Sequence, residues 1–449
     1  MNDTIAAIAT PLGVGAISII RVSGPESIKI VNKIFKGDDL EKVPTHTIHY
    51  GHIIEMTNII DEVLVSIFKA PKTFTTEDTV EINTHGSIAT TNKILELLLS
   101  NGCRLAEPGE FTKRAYMNGR IDLLEAEGVM DIINAKSEKA RKLAINQLDG
   151  NLSSLIKKLR QDILEVLANI EVNIDYPEYE DILEMTINDL KPKVENIEDK
   201  LNELLKNSEN GKIIKEGIKV AILGKPNVGK SSLLNALINE DKAIVTDIQG
   251  TTRDYVEGSI YLDGILLNFI DTAGIRETSD VVEKIGVDKS LKMIEEADLI
   301  LLLLNNNEKI TSEEKELLNK INNKKHIIIV NKNDLAKNID INDSLNPIYI
   351  STRNKEDINK ILDEIRKLFN LEELETSDLT YISNARSIAI LKEALTRLND
   401  VKKGIENEVP IDMVEIDIKE IWNSLGKIIG ETYEDELINQ LFSQFCLGK

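Results

Sequence analysis

The residues of this chain best suited to chemistry form one short glycine-containing loop. Residues 224–231 read G-K-P-N-V-G-K-S, which matches the phosphate-binding pattern G-x-x-x-x-G-K-[ST] at every required position. Gly224 and Gly229 let the backbone curl, so that several N–H groups point at one phosphate chain. Lys230 would reach the β- and γ-phosphates, and the Ser231 hydroxyl would bind Mg²⁺. The remaining loop contacts to a nucleoside triphosphate are predicted at Asn227, Val228 and Ser232.

The flanking sequence predicts the two elements that must hold this loop. Residues 218–223 are apolar enough for a short buried strand entering the loop, and residues 231–238 have the pattern of a helix leaving it. The N-terminus of that helix would add its partial positive charge to the site. The alternative is a glycine-rich turn before an ordinary helix. That alternative requires the strand, the loop, the Lys-Ser pair and the helix to fall in register by chance.

A second motif, D-x-x-G, follows another predicted strand at residues 266–270. Asp271 would support the Mg²⁺ ion, and the Gly274 N–H would meet the γ-phosphate. Upstream, Thr252 is placed to bind Mg²⁺ only while a γ-phosphate is present, which would make its loop a switch; a threonine-rich surface loop is the alternative. The predicted contacts of the D-x-x-G motif are Asp271, Thr272, Ala273 and Gly274.

A third motif, N-K-x-D, follows a strand at residues 326–330 and predicts the base. The Asp334 carboxylate can accept two hydrogen bonds, from N1–H and from the N2 amine of guanine. Adenine has no such donor pair, so a buried acceptor would be left without a partner. The predicted contacts of this part of the site are Asn331, Lys332, Asp334, Ser351, Thr352 and Arg353. The three motifs in this order favour a Ras-like GTPase domain.

The residue after D-x-x-G points to an unusual hydrolytic mechanism. Ras-like enzymes carry a water-orienting Gln at this position, whereas this chain has Ile275, which can neither orient water nor stabilise charge. Arg253, Arg276 and Glu283 are nearby candidates for the missing group. For Glu283 the alternative is a solvated carboxylate in the first turn of a helix. The side-chain oxygen of Asn227 offers a place for a monovalent cation against the phosphates.

Hydrophobic periodicity predicts a multi-domain chain that combines mixed α/β and all-α parts. Leu148, Leu152, Leu155, Leu159, Ile163 and Ile170 recur at the spacing of one amphipathic helix. Since the C-terminal helices are short for an independent core, we expect both helical stretches to form one domain with the GTPase domain inserted between them. The predicted segments are an N-terminal α+β domain at 1–118, the first helical part at 119–212, the P-loop GTPase domain at 213–371, and the second helical part at 372–449.

Composition excludes some classes of protein. The 449 residues carry a formal net charge of −22, which argues against coating a nucleic acid by bulk electrostatics. No apolar run is long enough to cross a membrane, and the 299–304 run is expected to be a core strand. The N-terminus lacks the basic region of a signal peptide. Two cysteines are too few for a disulfide framework, so the expected compartment is a reducing cytoplasm.

Over its whole length the chain resembles the MnmE (TrmE) family of tRNA modification GTPases. The matching stretches are the opening D-T-I-A-A-I-A-T-P, residues 107–123, the phosphate loop with its Asn, D-T-A-G-I-R-E, and the terminal F-C-L-G-K. The resemblance implies a homodimer formed through an N-terminal folate-binding-type domain. It also implies an FAD-containing partner, MnmG (GidA), and tRNA as substrate. The implied reaction adds an aminomethyl-type (carboxymethylaminomethyl) group to C5 of the wobble uridine, with formyl- or methylene-tetrahydrofolate as donor.

The same resemblance implies roles for individual residues. The implied folate contacts are Arg21, Glu81, Arg120 and Lys449. The implied ligands of a stimulating K⁺ ion are Asn227, Thr246, Ile248 and Thr251. Further GTP contacts are implied at Asp247, Gln249, Gly250 and Thr252. Glu283 would orient the attacking water in place of the missing Gln, and Cys446 would be a catalytic or positioning thiol.

A different class of function remains open at this point. A GTP-dependent switch, such as a ribosome-assembly GTPase, would explain the nucleotide motifs equally well. It would leave Cys446, Lys449 and the N-terminal domain without a role. Binding of a reduced folate is the observation that distinguishes the two readings.

Overall fold

The computed structural model describes residues 3–175, 187–238, 256–270, 292–372, 374, 380–431 and 435–448. The chain forms two compact units. One unit contains residues 1–130, 147–198 and 390–449, and the other contains residues 131–146 and 199–389. The segment boundaries after residues 118, 212 and 371 remain predictions.

The chain contains both strands and helices, as expected for a multi-domain protein that combines mixed α/β and all-α parts. The strands are β1 (Ile5–Ile8), β2 (Ile17–Ser23), β3 (Phe35–Lys36), β4 (Thr47–Glu55), β5 (Asn58–Phe68), β6 (Thr79–His85), β7 (Arg104–Leu105), β8 (Ile218–Leu223), β9 (Val256–Leu262), β10 (Ile265–Ile270), β11 (Leu299–Asn305), β12 (His326–Asn331) and β13 (Ile348–Tyr349). The helices with defined bounds are α1 (Ser27–Ile34), α2 (Ile88–Ser100), α3 (Glu110–Met117), α4 (Leu123–Asn134), α5 (Glu138–Leu148), α6 (Asn151–Asp175), α7 (Ile187–Glu216), α8 (Lys230–Ile238), α9 (Ser312–Ile321), α10 (Lys355–Leu368), α11 (Ala385–Glu406), α12 (Ile411–Ile429) and α13 (Asp435–Phe442). Within the described ranges, none of these helices combines the length and the apolar character that crossing a bilayer requires.

The N-terminal part of the first unit is a seven-stranded sheet in the order β3-β4-β5-β6-β2-β1-β7. Side chains alternate between its two faces. Ile20, Val22 and Ile82 are fully buried on the face that α1 and α2 cover. Arg21 and Glu81 lie on the opposite face, where α3 packs Phe111 against the inner residues of β1. One face of the sheet is therefore a hydrophobic core, and the other carries polar groups.

The helical part of this unit joins chain segments that are far apart in sequence. On α6, Arg160 is buried with its guanidinium 4.2 Å above the Trp422 ring of α12. Its Nε donates to the Trp422 carbonyl, and its Nη1 pairs with Glu431. Residues 147–198 and 390–449, which lie on either side of the nucleotide-binding motifs, thus share one unit, and the insertion of a GTPase domain into one helical domain remains a prediction.

The apolar residues from Leu148 to Ile170 were predicted to lie on one helix, and this prediction is wrong for Leu148. The chain ends α5 at Leu148 and starts α6 at Asn151. Between them, Gly150 has φ +76°, a left-handed conformation that ends a right-handed helix and that glycine adopts readily. The spacing of the apolar residues therefore continues across a helix boundary.

The second unit contains a six-stranded sheet in the order β13-β12-β11-β8-β10-β9. The pairs from β13 to β10 are parallel, and only β9 runs antiparallel at the edge. Every residue of β11 is buried, which confirms the predicted core strand. In a parallel sheet the carboxyl ends of the strands meet at one edge. The loops that follow β8 and β12 are brought together at that edge.

Candidate functional site

The phosphate loop has the predicted strand–loop–helix register. It leaves β8 at Leu223 and enters α8 at Lys230. Gly224 has φ +147°, and a Cβ there would lie only 2.5 Å from the Leu303 carbonyl oxygen. No other residue fits that position without moving the sheet. Asn227, at the tip of the loop, has φ +60° and an exposed side chain.

The side chain of Lys230 folds back over the phosphate loop. Its Nζ donates to the carbonyl oxygens of Gly224 at 2.6 Å and Lys225 at 2.8 Å. Burial lowers the pKa of Lys230, because a desolvated ammonium loses hydration. The backbone holds this ammonium at the mouth of the phosphate cradle, where a phosphate oxygen would be a stronger partner than a carbonyl.

The N-K-x-D motif is fastened directly to the phosphate loop. The Asn331 side-chain amide, buried at the end of β12, donates to the Val228 carbonyl at 2.8 Å. Lys332 Nζ donates to the Asn227 carbonyl at 3.0 Å. These two bonds fix the spacing between the predicted base-reading loop and the predicted phosphate loop.

The loop after β13 completes the predicted base site. Ser351 Oγ donates to Asp334 Oδ1 at 3.3 Å, and the Thr352 N–H donates to Asn331 Oδ1 at 3.4 Å. The Ser351 N–H donates to Asp357 at 2.9 Å, so the first turn of α10 anchors this loop. Asp334 and Arg353 are exposed. The structure therefore brings together the described residues that the sequence assigns to guanine recognition.

One anchor of the phosphate loop was missed by sequence reasoning. Lys225 Nζ pairs with the buried carboxylate of Glu314 at 2.9 Å. Glu314 also accepts from the Thr311 backbone and side chain in a capping box at the start of α9. The T-x-x-E pattern at 311–314 signals such a helix start, but nothing local connects it to residue 225.

Several predicted site residues lie outside the described ranges, and their roles remain predictions. They are Thr246, Asp247, Ile248, Gln249, Gly250, Thr251, Thr252, Asp271, Thr272, Ala273, Gly274, Glu283 and Lys449. In the parts of the chain that the structure describes, no group of three or more His, Cys, Asp or Glu side chains could hold a metal ion. Of the predicted metal ligands, Ser231 and Asn227 are described, and both lie on the phosphate loop.

A second candidate site is a pocket of about 590 Å³ on the polar face of the N-terminal sheet. Arg21, Glu81 and Arg120 all line it, although the chain separates the first from the last by almost a hundred residues. Arg21 on β2 lies directly opposite Glu81 on β6. Its Nε and Nη2 approach Glu81 Oε1 at 2.9 and 2.8 Å. The structure thus gathers the three described residues of the implied folate set.

Aromatic side chains form part of the pocket wall. The Arg120 guanidinium lies 4.9 Å from the centre of the Phe74 ring, and its Nη1 donates to the Phe74 carbonyl at 2.7 Å. Phe68 and Lys72 also line the pocket. Sequence reasoning missed Phe68, Lys72 and Phe74, because no local pattern distinguishes them from ordinary loop and strand-end residues.

The C-terminal segment reaches the same arginine. Arg21 Nη1 donates to the Gly448 carbonyl at 3.1 Å. Gly448 has φ +86°, and a Cβ on it would lie 2.5 Å from the Ile8 carbonyl oxygen, so glycine is required there. The Cys446 carbonyl accepts from the Gly109 N–H at 3.2 Å, and the Cys446 side chain is exposed. The geometry places the terminal F-C-L-G stretch beside the pocket.

A buried arginine, Arg114, holds in place the loop that carries Phe74. The side chain of Arg114 is fully buried between carboxylates. Its Nη1 donates to Glu77 at 3.1 Å, and its Nη2 donates to Asp3 at 2.8 Å and to Glu110 at 3.1 Å. Burial alone would lower the pKa of Arg114, but Glu77 and Glu110 raise it above its ordinary value. The guanidinium stays charged and holds residue 77 next to the pocket wall.

The two cysteines differ in character. Cys103 is buried in the N-terminal core, where burial raises the pKa of its thiol to about 12. Such a thiol is inert, so Cys103 serves as a small core residue. Cys446 is exposed, and both cysteines are free.

Two protein-family models match this chain, one over its N-terminal part and one over most of the remainder. Residues 4–120 match the model described as GTP-binding protein TrmE N-terminus, and residues 123–446 match the model of the MnmE helical domain. A protein of Streptococcus thermophilus named tRNA modification GTPase MnmE is 54% identical over 451 residues, covering 100% of this chain and 98% of its own length. A protein of Bacillus thuringiensis with the same name is 54% identical over 455 residues, covering 100% of this chain and 99% of its own.

Among solved structures, the G domain of the T. maritima FeoB iron transporter is 29% identical to this chain. It covers 34% of this chain and 98% of its own, with a TM-score of 0.24. The assignment of a GTPase fold rests on the sheet order and the geometry of the phosphate loop in this chain.

Proposed function

Since this chain belongs to the MnmE family of tRNA modification GTPases, we propose that it is a potassium-stimulated GTPase that modifies C5 of the wobble uridine of certain tRNAs. The group added is of the carboxymethylaminomethyl type. The reaction uses a reduced folate as one-carbon donor and an FAD-containing partner of the MnmG (GidA) kind. The observation that carries this proposal is the pocket that gathers Arg21, Glu81 and Arg120. A GTP-dependent switch without modification chemistry would leave that pocket without a role.

The pocket suits a flat, hydrogen-bonding ligand. Half-buried Glu81, which is paired with Arg21, can accept hydrogen bonds from ring N–H groups. Phe68 and Phe74 supply apolar wall around these polar groups, as small-molecule sites commonly require. Bound 5-formyl- or methylene-tetrahydrofolate would supply the one-carbon unit. Lys449 is proposed as a further folate contact, and Cys446 as the thiol beside the pocket.

Folate binding is the test of this proposal. Arg21→Ala is expected to weaken binding of 5-formyl-tetrahydrofolate by about tenfold or more, since a hydrogen bond to a charged group contributes roughly 1.5–3 kcal/mol. Calorimetry on the full chain measures the affinity. Arg141→Ala is the control, because among the described residues the Arg141 side chain pairs with exposed Glu138 and does not line the pocket. Failure of the wild-type chain to bind the folate would overturn the proposal.

At the nucleotide site we propose GTP with Mg²⁺ and K⁺. Ser231 and Thr252 would bind Mg²⁺, and the exposed side chain of Asn227 would bind K⁺ against the phosphates. The other proposed K⁺ ligands are Thr246, Ile248 and Thr251. Glu283 would orient the attacking water, because Ile275 cannot.

Cation replacement tests the role of Asn227. Sodium in place of potassium is expected to slow GTP turnover several-fold, because the smaller ion fits the same oxygen ligands poorly. Asn227→Ala should remove most of that difference while leaving GTP affinity nearly unchanged. Steady-state phosphate release in matched chloride salts measures both. Equal rates in the two salts for the wild-type chain would contradict the K⁺ site.

The N-terminal sheet also supports a homodimer. Ile48 and Tyr50 on β4 and Leu64 on β5 are exposed on the face that also carries Arg21 and Glu81, and Tyr50 pairs directly with Leu64 across the strands. Ile17 on β2 is exposed on the same face. An apolar patch of this kind marks an interaction surface, and a second copy of the same face is the simplest cover. We propose a cytoplasmic homodimer that binds tRNA and the MnmG-like partner.

A further inference from the structure

The charge of the folate pocket differs from that of the chain. The chain has a formal net charge of −22, whereas the charged lining of the pocket consists of Arg21, Lys72, Arg120 and Glu81. Three cations face one carboxylate, so two positive charges are not compensated within the lining. A locally cationic pocket on an acidic protein attracts anionic ligands in preference to neutral ones.

The charges are also unevenly distributed in depth. The Arg21 and Glu81 side chains are 19% and 24% exposed and neutralise each other. Lys72 and Arg120 are exposed. Arg120 is oriented by the carbonyl and the ring of Phe74, whereas Lys72 has no hydrogen bond or ion pair with any residue that the structure describes. The uncompensated positive charge therefore lies at the mouth of the pocket.

From this arrangement we propose that Lys72 and Arg120 form a subsite for the carboxylates of the ligand tail. The pocket then selects folates with an extended polyglutamyl tail over the form with a single glutamate. This inference rests on the proposed folate function and adds the form of the substrate. The neutral ring system occupies the half-buried end beside Glu81, and the tail extends through the mouth. Each added glutamyl residue brings one carboxylate within reach of the two cations.

Binding of two folates that differ only in tail length tests the subsite. Calorimetry on the full chain at low salt compares 5-formyl-tetrahydrofolate with its triglutamate. The wild-type chain is expected to bind the triglutamate about fivefold more tightly, given that an exposed ion pair changes affinity by roughly 1.4- to 5-fold. Lys72→Gln should lower this preference by about two- to threefold, and Lys72→Arg should retain it. Raising the salt should weaken the preference, because these charges are exposed.

The control is Lys36→Gln, which removes an exposed lysine of the same sheet that does not line the pocket. Equal affinity of the wild-type chain for both folates would overturn the tail subsite and leave the folate site standing. The tail subsite would also be overturned if Lys72→Gln left the preference for the triglutamate unchanged, or if Lys36→Gln lowered that preference as much as Lys72→Gln does. Failure to bind either folate would instead overturn the proposed function, and the tail subsite with it.

Discussion

Replacing Asp334 with Asn is expected to weaken GTP binding by about 10- to 10³-fold, because one charge-assisted hydrogen bond of roughly 1.5–3 kcal/mol is lost and the other becomes a weaker, neutral one. The carboxylate accepts from both N1–H and the N2 amine of guanine. An amide presents an NH₂ group to one of these donors, so one contact becomes donor against donor. Ser351 orients Asp334 through a 3.3 Å hydrogen bond, which an Asn side chain can also accept. The loop geometry should therefore survive the substitution.

The same reasoning predicts a change of base. Xanthine carries a carbonyl oxygen where guanine has its N2 amine, and an Asn side chain can accept from N1–H and donate to that oxygen. Asp334→Asn should therefore bind xanthosine triphosphate more tightly than GTP. Competition with a fluorescent nucleotide measures both affinities. Asn333→Ala, in the same exposed turn, is the matched control and should change neither. A variant that keeps GTP affinity would show that Asp334 does not read the base.

Replacing Arg114 with Met is expected to destabilise the N-terminal domain by about 3–5 kcal/mol, the cost of leaving buried charges without their partner. The guanidinium is fully buried and bonds to Glu77, Glu110 and Asp3. Met fills much of the space but removes the ion pair between Arg114 and Glu110. The Glu110 carboxylate is only 4% exposed, so water cannot replace that partner. Because residue 77 borders the pocket wall, binding of the proposed folate should weaken as well.

Differential scanning calorimetry of the full chain measures the loss of stability from the unfolding transition of the N-terminal domain. Arg141→Met is the control, since its exposed pair with Glu138 one turn away is worth only about 0.3–0.5 kcal/mol. Equal stability of the two variants would show that the buried cluster is not a stabilising anchor.

Acid pH provides an independent check on the same cluster. Burial alone would raise the pKa of Glu110, but hydrogen bonds from Arg104, from the Glu107 backbone and from Arg114 lower it below its ordinary 4.5. A carboxyl whose pKa is lowered by folding contributes stability that is present above 4.5 and is lost as the pH falls through the lowered value. The difference between the wild-type chain and Arg114→Met should therefore shrink below about pH 4.5, because protonation removes the unpaired charge.

Local sequence patterns predicted the strands, loops and helices that carry the described part of the nucleotide site. The phosphate loop requires glycine at positions 224 and 229, and the flanking apolar runs require a buried strand and a helix. Each requirement acts within ten residues, where backbone conformation and side-chain periodicity are decided. The order of the three motifs then placed Asp334 at the same sheet edge as Lys230, because parallel strands end together. The same local reasoning extended one helix across Gly150, where a left-handed residue separates two.

The pocket could not be derived from spacing alone. Family resemblance supplied Arg21, Glu81 and Arg120, but their meeting depends on the pairing of β2 with β6 and on the turn after α3. Lys72 and Phe74 carry no sequence signal, since each becomes a pocket residue only when the loop between β5 and β6 folds against Arg120.

The sequence by itself determined which nucleotide this protein binds and which elements hold it, because those features depend on short-range backbone geometry and on hydrogen-bonding groups in one motif. Only the tertiary structure decided the charge and depth of the second pocket. Those properties arise from strand register, from a buried arginine that anchors residue 77, and from a chain end that returns to Arg21. Such long-range contacts are set by the packing of the whole unit and have no counterpart in local residue order.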